Sequence, residues 1–245
     1  LSGNAIRYFV DGLPMESMGS ATNLSNIPLN LIDRVEIYKG VVPIHLGTDA
    51  LGGAINIITK KQMSNYLDLS YGYGSYNTHQ CDVNAQYQLG RHAIVIRPSI
   101  AINHSDNDYT MHNIEVWNQQ SQEYQRHSVR RFHDAYDSGM ARLEVGVTER
   151  WWTDDFFVSG IVMHADKELQ TGSTQSVVYG QATRENESEG LSITYRKKNF
   201  IFNNLSTDLA ISHTWDHKTV VDTFYRQYRW DGSYINSSRN EINGR

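Results

Sequence analysis

Some segments of the sequence hold residue types that can do chemistry, but none has the spacing of a known catalytic or metal site. The glycines of segment 47–53 suggest a phosphate loop, yet Gly53 stands where such a loop needs its lysine. Segment 104–112 holds two histidines and two aspartates, but their spacing matches neither a zinc site nor an EF-hand loop. We therefore expect no catalytic residue, no metal site and no cofactor, and a protein that is not an enzyme.

Binding is better supported than catalysis. The polar segment 105–137 mixes aromatic residues with arginines, a combination that binds sugars, peptides or anionic chelates and also occurs where loops pack on themselves. Its weak candidates for ligand contact are Tyr109, Trp117 and Arg130. The chain has 22 basic and 27 acidic residues, a net charge of −5, and this balance excludes a nucleic-acid partner.

The elements that must position these side chains are β-strands. Mean hydropathy is −0.53 and the longest apolar run is 93–96, so the sequence has no membrane-spanning helix, which needs about 20 apolar residues. Apolar and polar residues instead alternate, as where Leu67 and Leu69 oppose Asp68 and Ser70. The alternation predicts seven strands, near 65–74, 79–88, 93–104, 138–148, 154–164, 189–197 and 205–216.

The links between these strands indicate an up-and-down sheet with two different ends. Short turns at 89–92, 149–153 and 198–204 alternate with long polar segments at 105–137, 165–188 and 217 onward. Outer-membrane barrels show this pattern, with short periplasmic turns and long extracellular loops. Tyrosines and tryptophans near the strand ends are typical of an interfacial girdle. A soluble β-sandwich with one wet face also alternates and remains the rival architecture.

Four sequence motifs precede the predicted strands, and together they resemble those of one protein family. They read YFVDGLP at 8–14, IP at 27–28, IDRVEIYKG at 32–40 and LGTDALGGAINIIT at 46–59. In this order they resemble the C-terminal half of the plug of TonB-dependent outer-membrane receptors. The resemblance implies an incomplete transmembrane antiparallel β-barrel at 63–245, preceded by a small mixed-sheet, α+β plug fragment at 1–62.

The resemblance also implies a function. The expected activity is binding of a scarce nutrient, such as a siderophore, cobalamin, glycan or peptide, and its active import across the outer membrane of a Gram-negative cell. The expected partners are the nutrient, outer-membrane lipid, a surface lipoprotein, and the inner-membrane TonB complex through an N-terminal segment outside this chain. Two alternatives stay open: a TonB-dependent signal transducer of the same fold, and a soluble β-rich carbohydrate-binding module.

Site residues follow from the resemblance in three groups. The apical plug loops that face the ligand would be formed by Met15, Glu16, Ser17, Met18, Gly19, Ser20, His45 and Asp49. Contacts that hold the plug against carboxylates of the barrel wall would involve Arg34, Glu36 and Lys39, with Arg34 and Glu36 on one strand face. Structural turns would be made by Asp11, Gly12, Gly40, Gly47, Gly52 and Gly53.

Overall fold

The structure is a computed structural model that describes residues 6–15, 27, 31–43, 46, 52–60, 64–90, 94–118 and 121–242. These ranges hold fifteen β-strands in four sheets. Within them, no helix has the length and apolar character needed to cross a membrane. All regular secondary structure in these ranges is β, so the helical part of the expected α+β plug fragment is not seen there.

The first sheet has four strands and mixed directions. Its strands are β1 (Ile6–Val10), β2 (Leu13–Pro14), β3 (Ile32–Tyr38) and β4 (Gly53–Thr59), in the order β2-β1-β4-β3. Strand β1 pairs parallel with β4, while the pairs β1/β2 and β3/β4 are antiparallel. The apolar run of β4 is buried because Ala54 packs with Phe9 and Leu46 in one cluster and Ile57 with Val10 and Met15 in another.

The second sheet contains all seven strands predicted from the alternation. They are β5 (Tyr66–Gly74), β6 (Thr78–Leu89), β7 (Ile94–Ser105), β10 (Tyr136–Thr148), β11 (Asp155–Glu168), β12 (Thr183–Lys197) and β13 (Thr207–Val221). Their order is β13-β12-β11-β10-β7-β6-β5, and every pair is antiparallel. This up-and-down arrangement is the incomplete barrel sheet that the fold class predicted.

The two faces of this sheet differ as the period of two requires. One row across neighbouring strands joins Leu69, Val83, Ile100, Ala141 and Val162. This face is apolar yet open, since Leu69 is 65% exposed. The opposite face is the more polar one, and its buried side chains include Asn84, Gln86, Ser99, Ser159 and Ser188. It also holds a small buried apolar cluster of Ala101, Met140, Ile161, Met163 and Ala165. A soluble sandwich would bury the apolar face, whereas a membrane barrel turns it toward lipid.

The long polar segments contain more structure than predicted. Segment 105–137 was expected to be a loop, but it forms a hairpin of β8 (Thr110–Asn118) and β9 (Glu123–Arg130). A register shift between Met111 and Ile114 breaks the period of two, which explains why alternation missed this hairpin. Strand β13 also runs on to Val221, and the following segment holds β14 (Arg226–Tyr228) and β15 (Tyr234–Asn236).

All long links lie at one end of the sheet. The links after β5, β7, β11 and β13 meet at what we name the loop end, and those after β6, β10 and β12 meet at the opposite turn end. Segments 106–118, 121–135, 169–182 and 222–242 pack together at the loop end, and we name them the loop cluster. Its buried core consists of Ile114, Val178, Tyr228 and Trp230.

Candidate functional site

The Asp11–Gly12 dipeptide forms a two-residue hairpin turn between β1 and β2. Val10 pairs with Leu13, and both turn residues have left-handed backbone, with φ of 51° at Asp11 and 83° at Gly12. Two positive φ angles match the twist of the flanking strands, and aspartate followed by glycine suits this turn best. Asp11 and Gly12 thus form a tight turn in this structure.

Side chains of β4 hold this turn in place. The Asp11 carboxylate accepts a hydrogen bond from the Thr59 amide at 3.0 Å and another from the Thr59 hydroxyl at 2.5 Å. The Gly12 amide donates to the side-chain oxygen of Asn56 at 3.1 Å, and Asn56 is buried. The turn is therefore fixed to a strand more than forty residues away in sequence.

Replacing Asp11 by alanine should loosen β4 in the full-length protein. The change removes two hydrogen bonds to a carboxylate and leaves the Thr59 amide without its acceptor, at a cost of about 1–3 kcal/mol. Hydrogen exchange of segment 53–59, followed by mass spectrometry, measures the effect. Asp11→Gly is the matched comparison, because glycine adopts the left-handed backbone without strain, so the loosening it shares with Asp11→Ala comes from the lost carboxylate. Asp11→Asn keeps both the backbone tolerance and an acceptor oxygen and should loosen β4 least. Equal protection in wild type and Asp11→Ala would contradict this role of the carboxylate.

The charged residues of β3 form a network within the plug sheet. Arg34 pairs with Glu36 at 2.9 Å and with Asp33 at 3.0 Å, and its side chain is 59% exposed. Glu36 also accepts hydrogen bonds from the Tyr38 hydroxyl at 2.9 Å and from Asn56 at 3.3 Å. The Tyr38 hydrogen bond lowers the pKa of Glu36, against the opposing effect of burial.

Arg34 and Glu36 share one strand face, in the way their spacing predicted. Within the described ranges, the ion pairs of Arg34 are made with its own strand, and no ion pair involves Lys39. Contacts of these residues with carboxylates of the barrel wall therefore stay a prediction.

Gly53 allows the close approach of β4 to the end of β3. A Cβ atom added at Gly53 would lie 2.5 Å from the Tyr38 carbonyl oxygen, and the φ of Gly53 is 133°. Gly40 also has a positive φ, 81°, but it faces open space. Gly52 is a turn residue that leads into β4, and Gly47 lies outside the described residues.

The apical plug loops are represented by one described residue. Met15 is 8% exposed and packs with Val10, Ile27 and Ile57, so in this structure it belongs to the plug core. The other candidates for ligand contact on the plug lie outside the described residues: Glu16, Ser17, Met18, Gly19, Ser20, His45 and Asp49. Their ligand contacts stay predictions.

The plug sheet contacts the polar face of the large sheet. Val10 and Leu13, which flank the Asp11–Gly12 turn, line a small cavity together with Arg142, Ser159 and Ile161. Ser192 and Ser212 of β12 and β13 line the same cavity. These wall residues alternate with the apolar face along their strands, so the polar face is the one that meets the plug. That is the arrangement of a plug inside a barrel.

The three candidates of segment 105–137 do not form one site. Tyr109 and Arg130 lie at the base of the β8–β9 hairpin, where Arg130 pairs with Asp108 and the Tyr109 ring contacts Tyr76. Trp117 lies near the hairpin tip, with its ring 5.1 Å from Tyr124. Seven residues of strand separate base from tip, roughly 23 Å, which is too far for one small ligand.

Hydrogen bonds between distant segments build the loop cluster, which sequence reasoning missed. Gln170 is 1% exposed and accepts from the backbone amides of Phe132 at 2.6 Å and His133 at 2.8 Å. Its own amide group donates to the Tyr179 carbonyl at 2.9 Å. The Trp230 indole donates to the Gln175 carbonyl at 3.0 Å. The aromatic residues of 222–242 were the one available signal that this polar segment has a core.

Segment 104–112 does not assemble into a metal site. His104 bonds to Asp137 at 2.6 Å and Asp106 at 3.1 Å, whereas His112 bonds to the Ser128 hydroxyl at 2.8 Å. Across the described ranges, histidine, cysteine and carboxylate side chains form no group of three or more that could hold a metal ion.

Comparisons with known proteins agree with this geometry. Residues 1–54 match the family model of the TonB-dependent receptor plug domain. The FrpB iron transporter from Neisseria meningitidis is similar in fold, with a TM-score of 0.61 and 17% identity over 89% of this chain and 34% of that chain. The ferric enterobactin receptor PfeA from Pseudomonas aeruginosa has a TM-score of 0.61 and 15% identity, also over 89% of this chain and 34% of that chain.

A third solved structure extends the likeness. The ferric-catecholate import receptor Fiu from E. coli K12 has a TM-score of 0.55 and 12% identity over 89% of this chain and 32% of that chain. The chain thus spans about a third of the length of each of these three structures. At these identities the likeness is one of fold. The predicted fold, an incomplete antiparallel barrel sheet preceded by a small mixed sheet, is confirmed, and the plug-domain match supports the resemblance to a TonB-dependent receptor fragment.

Proposed function

We propose that this fragment of a TonB-dependent receptor belongs to an outer-membrane protein that binds a scarce extracellular nutrient and imports it actively. The observation that carries the proposal is the contact between the Val10–Leu13 hairpin and the polar face of the large sheet. A plug in that position blocks passive flow through the lumen, so passage needs energy to displace it. The plug-domain match of residues 1–54 supports the same conclusion.

The open apolar face supports a location in the outer membrane. Its aromatic residues collect at the two ends of the strands, where an interfacial girdle belongs. At the turn end Trp152 stacks with Tyr195 at 6.5 Å, and at the loop end Tyr73 contacts His79 at 5.0 Å. We assign the loop end to the extracellular side, because long loops of such barrels lie there.

Iron chelates are the nutrient class we place first among the candidates. The three solved structures described above are named as an iron transporter and as receptors for ferric enterobactin and ferric catecholates. Cobalamin, glycans and peptides remain the other candidates. The proposed partners are the nutrient, membrane lipid, a surface lipoprotein and the TonB complex, and the proposed domains are 1–62 for the plug and 63–245 for the barrel.

Uptake by living cells tests the function. We expect a strain that lacks the gene of the full-length receptor to lose uptake of one radiolabelled nutrient class, either ferric chelates, cobalamin or oligosaccharides. Deleting tonB instead should abolish the same uptake, because the plug blocks passive flow. Uptake that persists without TonB would show a passive channel. A transcriptional response without uptake would identify a signal transducer.

Detergent dependence tests the fold and the location together. The full-length receptor should extract from membranes only with detergent, because its apolar face is open. A receptor that is monodisperse and folded in plain buffer would instead be a soluble β-rich module.

A further inference from the structure

Arg226 lies against two aromatic rings at the loop end. Its guanidinium carbon is 4.2 Å from the centre of the Tyr234 ring and 5.5 Å from that of Phe224. One guanidinium nitrogen also donates to the Tyr228 hydroxyl at 3.3 Å. An arginine stacked in this way keeps its remaining N–H donors at the edge of the planar group, where they can bind another molecule.

Arg226 differs from the other described arginines that lie over rings. Arg97 has Glu144 within 3.9 Å, and Arg131 pairs with Asp134. No described carboxylate oxygen lies within 4 Å of the Arg226 guanidinium. The charge of Arg226 is therefore stacked and oriented, but it is not neutralised by an ion pair in the described part of the chain.

The one described carboxylate whose charge is among the causes of the pKa shift of Arg226 is the buried Glu241. This residue is 2% exposed, and its carboxylate accepts from the backbone amides of Gly180 at 2.8 Å and Gln181 at 3.3 Å. The hydrogen bond with Tyr228 raises the pKa of Arg226 against the opposing effect of desolvation, and the charges of Tyr234, Tyr228 and Glu241 raise it further, so its guanidinium stays protonated.

The surroundings of Arg226 are preorganised. Tyr228 is buried in the loop cluster, and its backbone bridges to Val178 of another segment. Tyr234 pairs with Tyr228 across β14 and β15, with their rings 5.4 Å apart. The rings and the guanidinium are thus held before any ligand arrives, which lowers the entropic cost of binding.

We propose that Arg226, Phe224 and Tyr234 form a binding site for a carboxylate or phosphate group that is attached to a flat or apolar body. The guanidinium donates paired hydrogen bonds to the anionic oxygens, and the rings contact the attached body. The proposal rests on the proposed function in one respect, because it takes the loop end as extracellular. A soluble nutrient and the phosphorylated headgroup of a lipid both have this chemistry.

Phenyl phosphate is the probe, since it joins a phosphate to a flat ring. The dissociation constant is measured by ligand-observed NMR on the purified full-length receptor in detergent. We expect phenyl phosphate to bind more tightly than inorganic phosphate or benzyl alcohol. Arg226→Gln should weaken its binding at least tenfold, and Arg226→Lys should also weaken it, because lysine has no planar pair of donors.

Two further variants test whether the effect is specific to Arg226 and whether it needs the aromatic ring. Arg126→Gln is the matched control, because Arg126 is an exposed loop-cluster arginine that pairs with Glu115, and the dissociation constant should stay within twofold. Tyr234→Ala keeps the charge and removes the closer ring, and should weaken binding of phenyl phosphate more than that of inorganic phosphate. Wild-type affinity in Arg226→Gln, or no binding to the wild type, overturns the proposal.

A bilayer distinguishes the two sources of the ligand. The receptor is placed in nanodiscs of phosphatidylcholine, with or without phosphatidic acid. Competition by phosphatidic acid against phenyl phosphate would support a lipid headgroup, and unchanged affinity would support a soluble ligand. These measurements need no TonB and no nutrient, so their failure is distinguishable from a failure of the uptake experiment.

Discussion

Replacing Gln170 by leucine is expected to open the loop cluster while the seven-stranded sheet stays folded. Leucine fills a similar volume but leaves the amides of Phe132 and His133 and the carbonyl of Tyr179 without their partner. Each buried backbone group that loses its hydrogen bond costs about 1–3 kcal/mol. The three losses together should lower the local free energy of opening by about 3 kcal/mol or more.

Hydrogen exchange measures this opening directly. A loss of about 3 kcal/mol corresponds to exchange roughly 150-fold faster in segments 131–135 and 177–182 of the full-length protein. Strands β10 and β11 should keep their protection, since their ladder does not involve the Gln170 side chain. Gln175→Leu is the matched control, because that side chain is exposed and only its backbone carbonyl is used by Trp230.

Two results with Gln170→Leu would contradict this prediction. Unchanged exchange in both segments would mean that the apolar core of Ile114, Val178, Tyr228 and Trp230 holds the cluster without Gln170. Faster exchange throughout β10 and β11 would mean that the cluster and the sheet unfold together. Either result would contradict a local role for this side chain.

The barrel sheet was predictable because its determinant is local. A strand with one lipid face and one wet face must alternate, so Leu67, Leu69 and their neighbours reveal the strand without knowledge of its partners. The same logic fails where the register shifts, as between Met111 and Ile114, because one shift exchanges the two faces. The β8–β9 hairpin was therefore read as a polar loop.

The candidate site was likewise only partly predictable from the sequence. The Asp11–Gly12 turn and the shared face of Arg34 and Glu36 follow from residue type and spacing. The partners of those residues do not, because Thr59 and Asn56 come from a strand more than forty residues away from the turn. The role of Gln170 could not be predicted from the sequence, because its hydrogen-bond partners are backbone groups, which do not depend on residue type.

The plug sheet should be most sensitive at Gly53. A methyl group there meets the Tyr38 carbonyl oxygen at 2.5 Å, and the backbone φ of 133° is one that residues with a side chain rarely adopt. Backbone strain of this kind costs about 1–3 kcal/mol, and overpacking against a fixed neighbour costs about 1–3 kcal/mol more. Gly53→Ala should therefore destabilise the β3–β4 pair by about 2–6 kcal/mol.

Gly40→Ala separates backbone strain from the steric contact with the Tyr38 carbonyl. Gly40 also has a positive φ, 81°, but no atom lies near enough to meet an added methyl group. It should show only the backbone cost of about 1–2 kcal/mol. Hydrogen exchange of segments 32–38 and 53–59 in the full-length protein compares the two variants. Equal exchange in both would show that the approach of β4 to the Tyr38 carbonyl adds nothing, and that the backbone angle alone requires glycine at position 53.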